Sequence, residues 1–145
     1  MSGSFPALRA VVLDATDARA IAEFYRQLLG YEYRSGDEPP PPGEPDPRGA
    51  DWLALRDGNG EVRLAIQHVA ELTPSTWPGA RIPQQLHLDL TVGDADQLAA
   101  HHARALALGA TVLDHRSTDP EEQLYVYADP AGHPFCIFVS ADHPT

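Results

Sequence analysis

The stretch Leu86-His87-Leu88-Asp89-Leu90 decides the fold, because the chain carries its pattern and its sequel twice. It is followed by a helix led by Asp96 and by Leu108-Gly109-Ala110-Thr111-Val112-Leu113. Near the start, Leu8-Arg9-Ala10-Val11-Val12-Leu13-Asp14 is followed by a helix led by Asp17 and by Leu29-Gly30-Tyr31-Glu32-Tyr33. In both copies a capping Asp stands 13 residues before a Gly. That spacing predicts a helix of about three turns, opened by a side chain that accepts a free backbone N–H and closed by a left-handed glycine. Ile21, Phe24 and Leu28 recur at helical spacing in the first copy. Leu98, His102, Ala105 and Leu106 recur likewise in the second.

A hairpin follows each helix. The first joins Trp52–Arg56 to Val62–Val69 through Asp57-Gly58-Asn59-Gly60. The second joins Leu124–Ala128 to Phe135–Ser140 through Asp129-Pro130-Ala131-Gly132. An Asp-x-x-Gly turn between β-rich runs reads as a tight hairpin. Each half therefore reads strand–helix–strand–strand–strand. The expected organisation is one α+β domain over residues 1–145, with a first module over about 8–70, a linker over 71–85 and a second module over about 86–140. Residues 35–50 break the pattern with six prolines and four acids, a density that no helix or strand survives. They are expected to form a flexible surface loop or a partner-docking polyproline segment. Trp77, between the modules, either plugs a core edge or lids a cavity.

Composition narrows the function. The chain has 145 residues, 21 acids and 10 bases, a net charge of −11, and no Lys. Phosphate neutralisation needs clustered Lys or Arg, so neither a nucleic-acid partner nor an anionic membrane surface is expected. A hydrophobic fraction of 43% is too high for a disordered chain. The single cysteine, Cys136, has no intrachain disulfide partner, which excludes a stapled secreted scaffold. There is no apolar run of membrane-spanning length. The first residues, Met1 to Pro6, lack the basic and apolar regions of a leader, so a cytoplasmic location is expected. Gly-rich phosphate loops, Gly-x-Ser-x-Gly elbows and Cys-x-x-Cys pairs do not occur.

Several of these residues resemble a known family. The strand, Asp and helix bearing Phe24-Tyr25 and ending Leu29-Gly30 are similar to the vicinal oxygen chelate superfamily. So are Gln84-Gln85-Leu86-His87-Leu88-Asp89-Leu90 and Tyr127-Ala128-Asp129-Pro130-Ala131-Gly132-His133-Pro134-Phe135. The nearest flavour is the glyoxalase and bleomycin-resistance-like branch common in actinobacteria. The resemblance covers roughly residues 8–140. It implies two βαβββ modules in a cupped, mixed-sheet arrangement with helices on the outer face, a ligand held in the cup between modules, and a homodimer. It also implies where metal-dependent members hold a divalent ion, namely on the first and last strands of each module. Those positions carry Ala10, Gln67, His87 and Cys136 here. Ala10 offers no donor and none of the four is a carboxylate, so no cofactor is expected beyond a weakly held divalent ion.

The same strand pattern sorts the polar residues. Period-two alternation sets Leu86, Leu88 and Leu90 on one face, expected to pack against the helices, and His87 with Asp89 on the other. The pair is open to two readings: structural polars, or the polar floor of a ligand site. Cys136 reads as a small buried hydrophobe with no sign of a nucleophile. His102 reads as a packed helix residue. Candidate ligand-binding residues are His87, Asp89, Gln67, Cys136 and Trp77, and candidate catalytic residues are His87 and Asp89. Three functions follow: a metal-independent protein binding a small aromatic or apolar molecule; a glyoxalase-like isomerase or lyase using His87 as base; and, disfavoured by the ligand count, a metal-dependent lyase or dioxygenase. The discriminating observable is whether a bound compound returns chemically changed.

Overall fold

The computed structural model describes residues 5–144; residues 1–4, which belong to the stretch read for a leader, lie outside them. The chain divides into two compact units, Met1–Glu71 and Leu72–Thr145.

The first unit runs β1 (Val11–Ala15), α1 (Ala18–Leu29), β2 (Glu32–Tyr33), β3 (Trp52–Arg56) and β4 (Val62–His68). Its sheet has the order β1-β4-β3-β2, with β1 parallel to β4 and the other pairs antiparallel. The Asp17 side chain accepts the Ala20 N–H, and Gly30, at φ 68°, closes α1 in the left-handed conformation. Ile21, Phe24, Tyr25 and Leu28 line the buried stripe of α1. The Tyr33 hydroxyl donates to Glu23 Oε2 of α1 at 2.7 Å, which identifies the sheet face that α1 covers. Register carries that face through Leu55, Leu64, Leu53, Ile66 and Leu13, all buried. Strand parity puts Val12, Ala65, Ala54, Asp14, Gln67 and Trp52 on the opposite face.

The second unit repeats this plan: β5 (Leu88–Val92), α2 (Ala95–Ala107), β6 (Thr111–His115), β7 (Leu124–Ala128) and β8 (Pro134–Val139). The sheet order is β5-β8-β7-β6, again with one parallel pair. Each unit is a βαβββ module built on a four-stranded mixed sheet, the α+β architecture read from the duplicated pattern. The two turns are also alike. Asp57 N donates to Glu61 O and Asp129 N to His133 O, and each Asp Oδ1 accepts two further backbone N–H groups of its own turn.

Three local expectations change. The cap of α2 is Asp94, whose carboxylate accepts the Gln97 N–H at 2.8 Å; Asp96 lies inside the first turn. Both acids suit a helix start electrostatically, but only the residue just outside the helical backbone can turn its side chain back onto a free N–H. Leu88 and Leu90 share the face of Phe135 and Ile137, whereas Leu86 precedes the strand and is 50% exposed. The proline-rich segment has neither helix nor strand, as expected, yet it is anchored. Fully buried Asp37 accepts the Ala54 N–H and pairs with Arg34 at 3.1 Å. Arg19 grips both oxygens of Asp46 at 2.8 and 2.9 Å and donates to the Asp37 carbonyl. Hydrogen bonding to Arg19 holds the Asp46 carboxyl down at about 2.

Candidate functional site

The site is assembled by strand pairing in the second unit. The parallel register of β5 and β8 sets Asp89 beside Cys136 on one face of the sheet. His87, two residues before Asp89, reaches the same side. Residues two apart on a strand are roughly 6.5–7 Å apart at the backbone. The side chains nonetheless close that gap, with His87 Nε2 3.1 Å from Asp89 Oδ1. The nitrogen, oxygen and sulfur donors of His87, Asp89 and Cys136 lie within 4.8 Å of one another.

The surroundings of His87 define its chemistry. Nδ1 lies 3.0 Å from Gln84 Oε1, an acceptor that holds a proton on that nitrogen. Nε2 faces the Asp89 carboxylate. Trp77 lies over the ring, with planes 9° apart and centroids separated by 6.2 Å. Trp77 is itself half-buried. Burial, reinforced by the negative charge of Asp89 and a hydrogen bond to it, pushes the Cys136 thiol up to about 11. A thiol in that state is a poor nucleophile at neutral pH.

Past the polar group the same face becomes apolar. Thr91 pairs with Phe138, and Phe138 and Cys136 pair with Leu124 and Val126 of β7. Tyr125 and Tyr127 lie on the helix side. His102 stacks on Tyr125 at 3.8 Å and its Nδ1 is 2.8 Å from the Tyr127 hydroxyl, so His102 is a packed helix residue as expected.

In the first unit, Gln67 is exposed on β4 between Asp14 and Trp52, and Ala10 precedes β1. Val12 and Asp89 each stand five residues before their helix caps. Val12 pairs with Ala65, and Asp89 pairs with Cys136. By register the first-unit counterpart of Cys136 is therefore Ala65, while Gln67 corresponds to Phe138. The first unit thus repeats His87 and Cys136 as two alanines. Residues of this kind do not fit a four-position metal centre drawing on both modules. Gln84 and the nearness of Asp89 to Cys136 escaped sequence reasoning. Gln84 carried a local signal, since it stands three residues before a candidate histidine; the Asp89–Cys136 contact carried none.

Two four-stranded mixed βαβββ units with a polar group on the face opposite the helix define a protein of the vicinal oxygen chelate class. A family model for the glyoxalase-like domain matches residues 10–138, and the chain belongs to that family. Among solved structures it is similar to a glyoxalase/bleomycin resistance protein/dioxygenase family enzyme from Burkholderia phytofirmans, at 17% identity and TM-score 0.66, covering 92% of this chain and 98% of that one. It is also similar to a fosfomycin resistance protein from Mesorhizobium loti, at 13% identity and TM-score 0.64, covering 94% and 93%. A lactoylglutathione lyase from Agrobacterium tumefaciens aligns at 20% identity and TM-score 0.58, covering 95% and 96%. No curated protein matches the chain. At the level of the family, the fold supports small-molecule binding or lyase-type chemistry. No helix among the described residues is long and apolar enough to cross a membrane.

Proposed function

We propose that this chain is a cytoplasmic, homodimeric protein that binds a small aromatic or apolar molecule and does so without the four-position metal centre of its family. The observation that carries this reading is the composition of one sheet face: a polar anchor of His87 and Asp89 stands beside Phe138, Leu124 and Val126, with Trp77 over the imidazole. Ligand sites are mostly apolar walls with a few polar groups that fix orientation, and this face has that make-up.

Native mass spectrometry of the untreated protein should show an organic molecule retained by the folded chain. Titrated back into the stripped protein, that compound should bind His87→Ala more weakly than wild type. His87→Gln, which keeps a donor and an acceptor, should recover part of the affinity. Equal affinity across the three proteins, or a wild-type chain that carries and rebinds nothing, overturns the reading.

A second reading, an isomerase or lyase, draws on the 3.1 Å contact of His87 with Asp89, because a carboxylate beside an imidazole orients it and strengthens it as a base. Its mark is release of the retained compound in chemically altered form.

A further inference from the structure

Asp89 stands at none of the four family positions, and it changes what the second unit can hold. One nitrogen, one oxygen and one sulfur donor converge there within 4.8 Å. A zinc-class ion with bonds of roughly 2.0–2.3 Å keeps its ligand atoms roughly 3–4 Å apart, so the three side chains are within a small rotation of enclosing one. His87 Nε2 and Asp89 Oδ1 already stand at 3.1 Å. Gln84 holds the proton on Nδ1, the outer contact that leaves Nε2 free to ligate.

We propose that His87 Nε2, a carboxylate oxygen of Asp89 and the sulfur of Cys136 bind one thiophilic divalent cation of the zinc class, entirely within the second unit. The sulfur donor selects such an ion over magnesium or calcium, which take oxygen ligands. The sulfur binds as thiolate, so the thiol proton passes to solvent and no electron is transferred. Three protein ligands with the imidazole and carboxylate open to solvent leave a fourth position for water or a small molecule. The site shares His87 and Asp89 with the small-molecule reading above, though cobalt binding is read without that molecule, and it departs from the metal-free expectation drawn from the four family positions.

The test is a cobalt(II) titration of the tag-free, chelator-treated full chain. One equivalent should saturate a near-ultraviolet thiolate-to-cobalt band, and one equivalent of zinc should displace it. Cys136→Ser should abolish the band. Asp89→Asn and His87→Ala should each weaken cobalt binding at least about tenfold, and Gln84→Leu by about tenfold. His68→Ala, in the other unit, should leave it unchanged. No sulfur-dependent band, or full affinity in Asp89→Asn, overturns the proposal. So does a loss in Gln67→Ala as large as that in Asp89→Asn, which would return the site to the two-module set. Should a variant fail to fold, X-ray absorption of the zinc-loaded wild type decides: one sulfur at about 2.3 Å with nitrogen and oxygen at about 2.0–2.2 Å supports the site, and an all-oxygen shell refutes it.

Discussion

His102 shows how a single polar side chain is held inside an apolar layer. The Tyr127 hydroxyl is fully buried and has His102 Nδ1 at 2.8 Å. His102→Phe keeps the stack on Tyr125 and orphans that hydroxyl, which should cost on the order of 1–3 kcal/mol in urea unfolding. Adding Tyr127→Phe to His102→Phe should return much of the loss, because the orphan is then gone. Undiminished stability in His102→Phe would sink this account. The pH dependence follows from the same packing. Burial, followed by the charge of His115, lowers the His102 pKa below 6.5, so the folded state binds the proton less readily than the unfolded chain. The stability contributed is complete above about pH 6.5 and is lost as pH falls from there toward the lower folded value. His102→Phe should lack this part of the acid-side slope.

At the scale of elements, the two helices look alike in spacing and differ in where they begin. Asp94 supplies the α2 cap bond, while Asp96 contributes only its charge near the helix start. Asp94→Ala should therefore cost about 0.5–2 kcal/mol in urea unfolding, and Asp96→Ala about 0.3–1 kcal/mol. Equal costs, or a larger one at Asp96, would contradict the cap assignment. The proline-rich segment 35–50 carries a related lesson. Its acids read as a solvated loop, yet Asp37 and Asp46 are the groups that fasten it, to the Ala54 N–H and to Arg19. Their partners lie 17 and 27 residues away, beyond any local pattern.

At the scale of the whole molecule, the proposed homodimer has to form despite a charge of −11 on every chain. Like charge opposes unspecific association but leaves a two-fold contact possible, and salt screens what repulsion remains. Sedimentation at micromolar concentration should give a species of about twice 15.7 kDa, held more tightly at higher ionic strength. A single species of chain mass under both conditions would refute the dimer.

The sequence by itself determined what needs only neighbours. Asp17 and Gly30 bracket α1, Asp-x-x-Gly builds each turn from its own backbone, and alternation through Leu88, Asp89 and Leu90 assigns strand faces. Their duplication made the paired βαβββ plan legible, and His87 with Asp89 emerged as candidates because two residues on one strand share a side by parity. Tertiary structure decided the rest. Cys136 joins them because β5 runs parallel to β8, a pairing across 47 residues that no local pattern encodes. The same pairing matched Cys136 to Ala65 and Gln67 to Phe138, which counting along the chain did not. Parity says which way a side chain points; only the register between strands says which side chains it meets there, and the donor set of this site is a property of that register.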